Sequence, residues 1–153
     1  MKLSDVIRTE TILMNLAAKE KVSVIQELAE PAAKTGNVRL EEMIRVILER
    51  ERLGSTGIGK GIAIPHGKLK ALQEPMLGFG ISRNGVDFDS IDGLPVHLFF
   101  LLITPENAPG IHIKLLSQLA RMMKNELVKN RLLQAQDAGQ VIDILRAEEE
   151  PNP

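Results

Sequence analysis

The most apolar stretch of the sequence is PVHLFFLLI, residues 95–103. It is short, it begins with a proline, and apolar side chains follow one another without alternation. A run of this kind is typical of a strand that is buried on both faces of a sheet. We therefore predict that residues 95–103 form the central strand of the fold, with the rest of the chain supplying its neighbours and its cover.

Strand-like and helix-like segments lie on both sides of this run. Before it, apolar spacing predicts a strand at 11–16, helices at 19–34 and 40–52, and strands at 62–64 and 76–82. After it, helical spacing predicts helices at 111–124, 126–136 and 137–146. Strands interleaved with helices predict an α/β fold, a three-layer α/β/α sandwich in which helices flank a small β-sheet.

Asn84-Gly85 is a strong signal for a two-residue hairpin turn, and residues 86–88 would form its returning arm. A hairpin contains an antiparallel strand pair, so we expect the sheet to be mixed. No internal repeat and no long linker interrupts the chain. We expect one domain over residues 1–147, followed by a frayed tail at 148–153.

Composition excludes several classes of function. The 153 residues include 19 Lys and Arg against 20 Asp and Glu, four Phe, and no Trp, Tyr or Cys. Without a basic patch or aromatic platforms, no nucleic-acid partner is expected. The sequence has no apolar run of about 18 residues and its N-terminus lacks the apolar core of a secretion signal, so we expect no membrane insertion and a cytoplasmic location. The absence of cysteine excludes disulfides, thiolate metal sites and cysteine nucleophiles.

A glycine-rich loop runs from Gly54 to Gly61 and leads into the strand at 62–64. It contains the GxxxxGK part of a nucleotide-binding P-loop. However, Gly61 stands where that motif needs Ser or Thr to hold magnesium, and the loop follows a helix instead of a strand. We therefore expect no ATP site. We expect the glycines to allow positive φ angles and a close approach of the backbone to a neighbouring site.

The three histidines are candidates for chemistry, although each could be purely structural. His66 lies between Pro65 and Gly67 at the end of a predicted strand, where α/β folds hold their ligands. His112 lies at the expected N-terminus of a long helix, where the helix dipole lowers the pKa and favours a neutral ring. His97 lies inside the central run, and we interpret it as a residue of a sheet face.

Arg50 and Arg52 close the helix that precedes the glycine loop. Basic residues in a last helical turn complement the helix dipole, which is a sufficient structural reason for both. They are also the cations that we select to balance an anionic group held at His66.

These residues together resemble a known family. The stretch ERLGSTGIGKGIAIPHG, residues 51–67, is similar to the active-site signature of mannitol/fructose-type (type 2) enzyme IIA domains of the phosphoenolpyruvate-dependent phosphotransferase system. The similarity continues through DFD at 87–89, IDG at 91–93, the central apolar run and His112. The STGIG variant and the length of a separate domain are most similar to the nitrogen-regulatory branch.

The resemblance implies that His66 accepts a phosphoryl group from a phosphohistidine on an HPr-like carrier. It also implies that His112 and Arg50 line the active site and that no metal, nucleotide or other cofactor is required. The sequence departs from the pattern at Lys60, where this branch often has Asn, and at His97, where an acidic or polar residue is more familiar.

The chemistry of imidazole is consistent with this role. With a pKa near ~6.5 the ring is largely neutral, and a hydrogen bond from one ring nitrogen to a backbone carbonyl would fix the tautomer and aim the other lone pair. Phosphoryl transfer passes through a loose transition state and needs positioning and charge stabilisation. The Arg50 guanidinium and a hydrogen bond from His112 could supply them.

Three functions remain open at this point. The first is a regulatory phosphocarrier whose phosphorylation state is read by target proteins. The second is a sugar-specific enzyme IIA that passes phosphate to a IIB domain of a permease, which must be a separate protein because this chain has no cysteine acceptor. The third is a non-catalytic protein-binding module, with His66, His97 and His112 as a conceivable metal triad that lacks short ligand spacing.

Overall fold

Six helices and six strands follow one another along residues 1–149, which are the part of the chain that the computed structural model describes. In chain order they are α1 (Leu3–Val6), β1 (Ile7–Leu13), α2 (Lys21–Gly36), α3 (Leu40–Arg52), β2 (Gly57–Gly59), β3 (Ile62–Ala63), β4 (His66–Leu69), β5 (Met76–Val86), β6 (Val96–Pro105), α4 (Pro109–Met122), α5 (Glu126–Gln134) and α6 (Ala138–Glu149). Among these helices, none combines the length and the hydropathy that crossing a bilayer would require.

The strands form one mixed sheet in the order β1-β5-β6-β3-β2, and β4 also pairs with β6. Strand β6 is antiparallel to β5 and parallel to both β3 and β4. Strand β1 is parallel to β5, and β2 is antiparallel to β3. The most apolar run of the sequence is therefore the central strand, and the mixed sheet is confirmed.

Side chains of β6 alternate between two hydrophobic cores because successive residues of a strand point to opposite faces. Phe100 and Leu102 belong to the core that α1, α4, α5 and α6 cover. Phe99 and Leu101 belong to the core that α2 and α3 cover. The fold is the predicted three-layer α/β/α sandwich.

The hairpin turn predicted at Asn84-Gly85 is wrong. Strand β5 runs through both residues and ends at Val86, which pairs with Val96 of β6. The pairing register shifts just before Val86, and Gly85 has a φ of 83°, so the dipeptide forms an irregularity within the strand. Asn-Gly favours positive φ, and a bulge uses that preference as readily as a turn does. The antiparallel partner of β5 is β6, and residues 87–95 join the two strands.

The C-terminal helix extends further than the sequence indicates. Glu148 and Glu149, the first two residues of the expected tail, belong to α6. The Glu149 carboxylate accepts hydrogen bonds from the backbone N–H groups of Leu3 and Ser4, which ties the two ends of the described chain together. The other residues of the expected tail, 150–153, lie outside the described part.

Candidate active site

His66 is the first residue of β4 and lies opposite Leu102 near the end of the central strand. The preceding Pro65 already takes part in the sheet, because its carbonyl accepts a hydrogen bond of 3.0 Å from the N–H of Leu102. His66 thus opens a strand, whereas the sequence places it only after one. Pairing with β6 holds the backbone at Pro65 and along β4, and the His66 ring is half-buried.

A backbone carbonyl fixes the tautomer of His66. The ring nitrogen Nδ1 lies 2.7 Å from the carbonyl oxygen of Ile64. Because a carbonyl oxygen can only accept, Nδ1 carries the proton and donates it, and Nε2 of the neutral ring keeps its lone pair. Burial lowers the pKa of His66 against the raising effect of this hydrogen bond, and the charge of Arg50 lowers the pKa further. The ring is therefore predominantly neutral at neutral pH.

His112 lies next to His66 in space. It belongs to the first turn of α4, its ring is buried, and the two ring centroids are 5.5 Å apart with the planes tilted by 53°. Burial, and after it the charges of His66 and Lys68, lower the pKa of His112 to about 4. This lowered pKa agrees with the sequence-based expectation of a neutral His112, and burial is its largest cause.

Arg50 borders the same site, while Arg52 does not. Arg50 Nη1 donates a hydrogen bond of 3.0 Å to the carbonyl oxygen of Gly54, which fastens the guanidinium across the start of the glycine loop. Both cavities next to His66 are lined by Arg50, and neither is lined by Arg52. Of the two arginines selected from the sequence, the structure brings only Arg50 to His66.

Two open cavities meet at His66. The larger, of about 530 Å³, is lined by the basic residues Arg45, Arg50, His66, Lys68 and His112, by Glu49 and Glu106, and by Val46, Leu53 and Gly67. We call it the cationic cavity. The smaller, of about 320 Å³, is lined by Arg50 and His66 with hydroxyl and apolar groups of the glycine loop and α4. His66 and Arg50 are therefore accessible from two sides.

Lys68 is a cation of this site that sequence reasoning missed. It follows His66 by two residues in β4, and residues two apart in a strand point to the same face. Its charge lowers the pKa of both His66 and His112. Within residues 1–149 it forms no ion pair. The alternation of a strand that starts at His66 was the signal that could have identified it.

The buried carboxylate of Glu51 holds the glycine loop beside Arg50. It accepts hydrogen bonds from the backbone N–H and the hydroxyl of Thr56, and it pairs with Lys21 Nζ at 2.9 Å. Helices α2 and α3 and the loop are thereby joined at one carboxylate.

The glycines of the loop serve the purposes expected from the sequence. Gly59 and Gly61 have φ values of 95° and 81°. Gly57 instead allows a close approach, since a Cβ on this residue would collide with Ser90 Oγ and would lie 3.0 Å from Ser90 Cα. The backbone N–H of Lys60 donates to Asp92 Oδ2 at 2.8 Å, which fixes the loop to residues 87–95.

His97 and Lys60 line neither cavity. His97 Nδ1 lies 2.9 Å from the carbonyl oxygen of Ser82, so this ring is held at the sheet, as the sequence-based interpretation has it. Across residues 1–149, no group of three or more His, Asp or Glu side chains is arranged to hold a metal ion.

The chain is similar in sequence and in structure to known proteins. Residues 5–148 match the family "Phosphoenolpyruvate-dependent sugar phosphotransferase system, EIIA 2". A nitrogen regulatory protein of Bradyrhizobium diazoefficiens is 37% identical over 95% of each chain. A fructose-specific EIIABC component of Bacillus subtilis is 38% identical over 95% of this chain, which spans 23% of that longer protein. The crystal structure of nitrogen regulatory protein IIA-Ntr from Neisseria meningitidis has a TM-score of 0.89 at 31% identity, covering 94% of this chain and 98% of that one.

Proposed function

The chain belongs to the EIIA type 2 family of the phosphoenolpyruvate-dependent sugar phosphotransferase system, and from this premise we propose that it carries the phosphoryl group on Nε2 of His66. The observation that carries the proposal is the 2.7 Å hydrogen bond between Nδ1 and the Ile64 carbonyl. That bond occupies the Nδ1 proton and leaves a lone pair on Nε2, the atom that must attack phosphorus.

The donor is a phosphohistidine on an HPr-like carrier. The Nε2 lone pair of His66 forms a new N–P bond while the N–P bond of the donor breaks, and the donor imidazole leaves with the electron pair of that bond. The transferring group is loosely bonded to both nitrogens in the transition state, so the site must align two rings and stabilise the negative charge of the oxygens.

Three side chains of the cationic cavity are placed for that charge. Arg50 uses Nη1 on the Gly54 carbonyl and retains further N–H groups for phosphoryl oxygens. Lys68 projects from the same strand face as His66 and forms no ion pair among the described residues. His112 contributes a neutral ring at a centroid distance of 5.5 Å from His66.

Exposed apolar side chains next to the cavities favour a protein as the donor. Leu53 is 83% exposed and lines the cationic cavity, and Ile58 is 41% exposed and lines the smaller one. Apolar side chains exposed around a polar centre are typical of a protein docking face. A carrier protein that covers Leu53 and Ile58 would bring its own phosphohistidine to His66.

The downstream role that we propose is regulatory: target proteins bind according to the phosphorylation state of His66. A phosphoryl group adds about −1.5 to −2 charge to a cavity whose lining includes three cationic and two acidic side chains, which would change its attraction for partners. The similarity to two nitrogen regulatory proteins along nearly the whole chain supports this role.

A sugar-specific role is the second candidate, and the 38% identity to a fructose-specific EIIABC component favours it. In that case His66 would pass its phosphoryl group to a separate IIB domain. Rapid transfer from the phosphorylated protein to a purified fructose-type IIB domain would support this candidate. Slow transfer, together with a target protein that binds only one phosphorylation state, would support the regulatory role.

Phosphorylation itself is tested with phosphoenolpyruvate, enzyme I and an HPr-type carrier. We expect an acid-labile phosphate that mass spectrometry locates on His66 and that His66→Ala lacks. His97→Ala is the matched control, because this ring also has Nδ1 at a backbone carbonyl but lines neither cavity. Equal labelling of His66→Ala and the wild type would refute the assignment to His66, and a wild type that takes no label would point to the non-catalytic binding module.

A further inference from the structure

We propose that Thr104 is a positioning residue: its hydroxyl selects the tautomer of His112 in which Nε2 carries the proton and can donate it to a phosphoryl group on His66. The inference rests on the proposed function of His66. It concerns a residue that neither the glycine-loop signature nor the cavity lining identifies, because Thr104 lies behind His112 and not in the cavity.

Thr104 and His112 form an isolated buried polar pair. Thr104 is the last but one residue of β6 and its exposed fraction is 0%. Its Oγ1 lies 2.6 Å from Nδ1 of His112. Within residues 1–149 this is the hydroxyl's sole hydrogen-bond partner. The Thr104 hydroxyl therefore bonds only to His112 among these residues. The direction of this single hydrogen bond decides which ring nitrogen of His112 carries the proton.

Two directions are possible for that bond. If the Thr104 hydroxyl donates, Nδ1 accepts and the ring proton lies on Nε2. If Nδ1 donates instead, the hydroxyl proton of Thr104 is left in an apolar interior without an acceptor, which is unfavourable. The first direction satisfies both groups. A neutral His112 has only one ring proton, so this choice determines what the ring presents to its neighbour.

The two facing histidines consequently hold opposite tautomers. His66 meets a carbonyl oxygen, which can only accept, and so its Nε2 keeps the lone pair. His112 meets a hydroxyl without another acceptor, and so its Nε2 carries a proton. One ring is prepared to attack phosphorus, and the other is prepared to donate to the oxygens of the transferred group. The opposite tautomer of His112 would direct a lone pair at those oxygens.

The test combines the tautomer with the rate of transfer in the full chain. Long-range proton–nitrogen NMR correlations of the unphosphorylated protein at neutral pH should place the ring proton of His112 on Nε2 and that of His66 on Nδ1. Thr104→Val removes the hydroxyl at nearly constant volume. It should populate the other tautomer of His112 and slow phosphorylation about tenfold, the effect of losing one hydrogen bond to a charged group.

Two variants separate positioning from general damage. Thr104→Ser keeps the hydroxyl and should retain the Nε2–H tautomer and a rate within about threefold of the wild type, as expected when the hydrogen bond is preserved. Thr11→Val is the control. It removes the hydroxyl of another buried threonine, which lies in β1, is 1% exposed and donates from Oγ1 to the Leu77 carbonyl at 2.8 Å. The His112 signals should not change in this variant.

The outcomes are distinguishable. A wild-type His112 with its proton on Nδ1 overturns the proposal by itself, whether or not Thr104→Val folds. An unchanged tautomer and rate in Thr104→Val also overturns it. If His66 of the wild type is never phosphorylated while His112 shows the Nε2–H tautomer, the proposed function fails, and only the selection of the His112 tautomer by the Thr104 hydroxyl is supported.

Discussion

The imidazole rings of His66 and His112 face each other with centroids 5.5 Å apart and planes tilted by 53°. One ring comes from the start of β4, which pairs with β6, and the other comes from the first turn of α4, which packs on one face of the sheet. Protonation of either ring raises the cost of protonating the other. Both imidazoles are therefore favoured in their neutral forms.

The depressed pKa of His112 makes stability depend on pH. The unfolded chain protonates this ring at an ordinary pKa near 6.5, whereas the folded protein does so only at about 4. Between these values the unfolded state binds more protons, so the free energy of unfolding falls as the pH falls. The loss should be about 2 kcal/mol between about pH 8 and pH 5. Urea unfolding across this range measures it.

His112→Gln isolates that contribution. The variant should be less stable than the wild type at about pH 8, and the difference should shrink by about 2 kcal/mol on going to about pH 5. A constant difference across this range, or a His112 ring that titrates at its ordinary value in an NMR titration, would contradict the burial of a neutral ring.

Removing the cations around His66 should slow phosphoryl transfer. Arg50→Met should lower the rate of phosphorylation by about a hundredfold and Lys68→Met by about fivefold, because charge-assisted contacts to phosphoryl oxygens are lost. Lys68→Met should also raise the pKa of His66, since the lysine charge lowers it. Stopped-flow transfer from the phosphorylated carrier and an NMR titration of the His66 ring give the two readings.

Arg45→Met is the matched control for these cations. Arg45 lines the cationic cavity, but it pairs with Glu49 at 3.0 Å on the exposed surface of α3. We expect transfer within about twofold of the wild type, since an exposed and already paired charge contributes little. If Arg45→Met and Lys68→Met slow the reaction equally, the specific role of Lys68 is wrong.

Glu51→Gln should destabilise the protein strongly and Glu49→Gln should not. Both glutamates lie in the last turns of α3, but the Glu51 side chain is 5% exposed and the Glu49 side chain 51%. Neutralising Glu51 removes the closer and buried partner of the partly buried Lys21 and leaves only the exposed Asp89 at 3.6 Å, with an expected cost of about 2 kcal/mol. The exposed pair contributes about 0.5 kcal/mol or less. Chemical denaturation of the two variants measures the contrast.

Gly57→Ala and Gly110→Ala should act in opposite directions. A Cβ on Gly57 meets Ser90 Oγ and the backbone at Ser90 Cα, whereas a Cβ on Gly110 meets open space. We expect Gly57→Ala to cost about 1–3 kcal/mol through overpacking. Gly110 lies in the first turn of α4, and alanine there should stabilise by up to about 0.5 kcal/mol. Thermal unfolding measures both effects. An unchanged stability of Gly57→Ala would mean that the segment 87–95, which contains Ser90, can move away from the added Cβ without loss of stability.

The sequence predicts the environment of His66 only in part. Position at the end of a helix selected both Arg50 and Arg52, and only the family resemblance favoured Arg50; Arg52 lines neither cavity. Lys68 was missed because its relation to His66 depends on a strand that begins at the histidine. Which of several nearby charges reaches a site is set by the direction of each side chain, and a linear sequence does not contain that direction.

Asn84-Gly85 shows the same limit for the backbone. The dipeptide correctly signals a positive φ, which Gly85 adopts at 83°. Whether that angle makes a turn or a bulge depends on which strand lies alongside. Here β5 pairs with β6 again at Val86, beyond the dipeptide, so the positive φ forms an irregularity within a longer strand.

The order of apolar and polar residues by itself determined the central strand, the layers of helices and the histidine of the glycine-loop signature. The spacing of apolar residues along the chain indicates whether a segment is a helix or a strand and which of its faces is buried, and this spacing can be read from the sequence. The tertiary structure alone decided the protonation of the site. Tautomers and pKa values depend on desolvation and on single atoms such as Thr104 Oγ1 and the Ile64 carbonyl oxygen, which folding brings to the two rings.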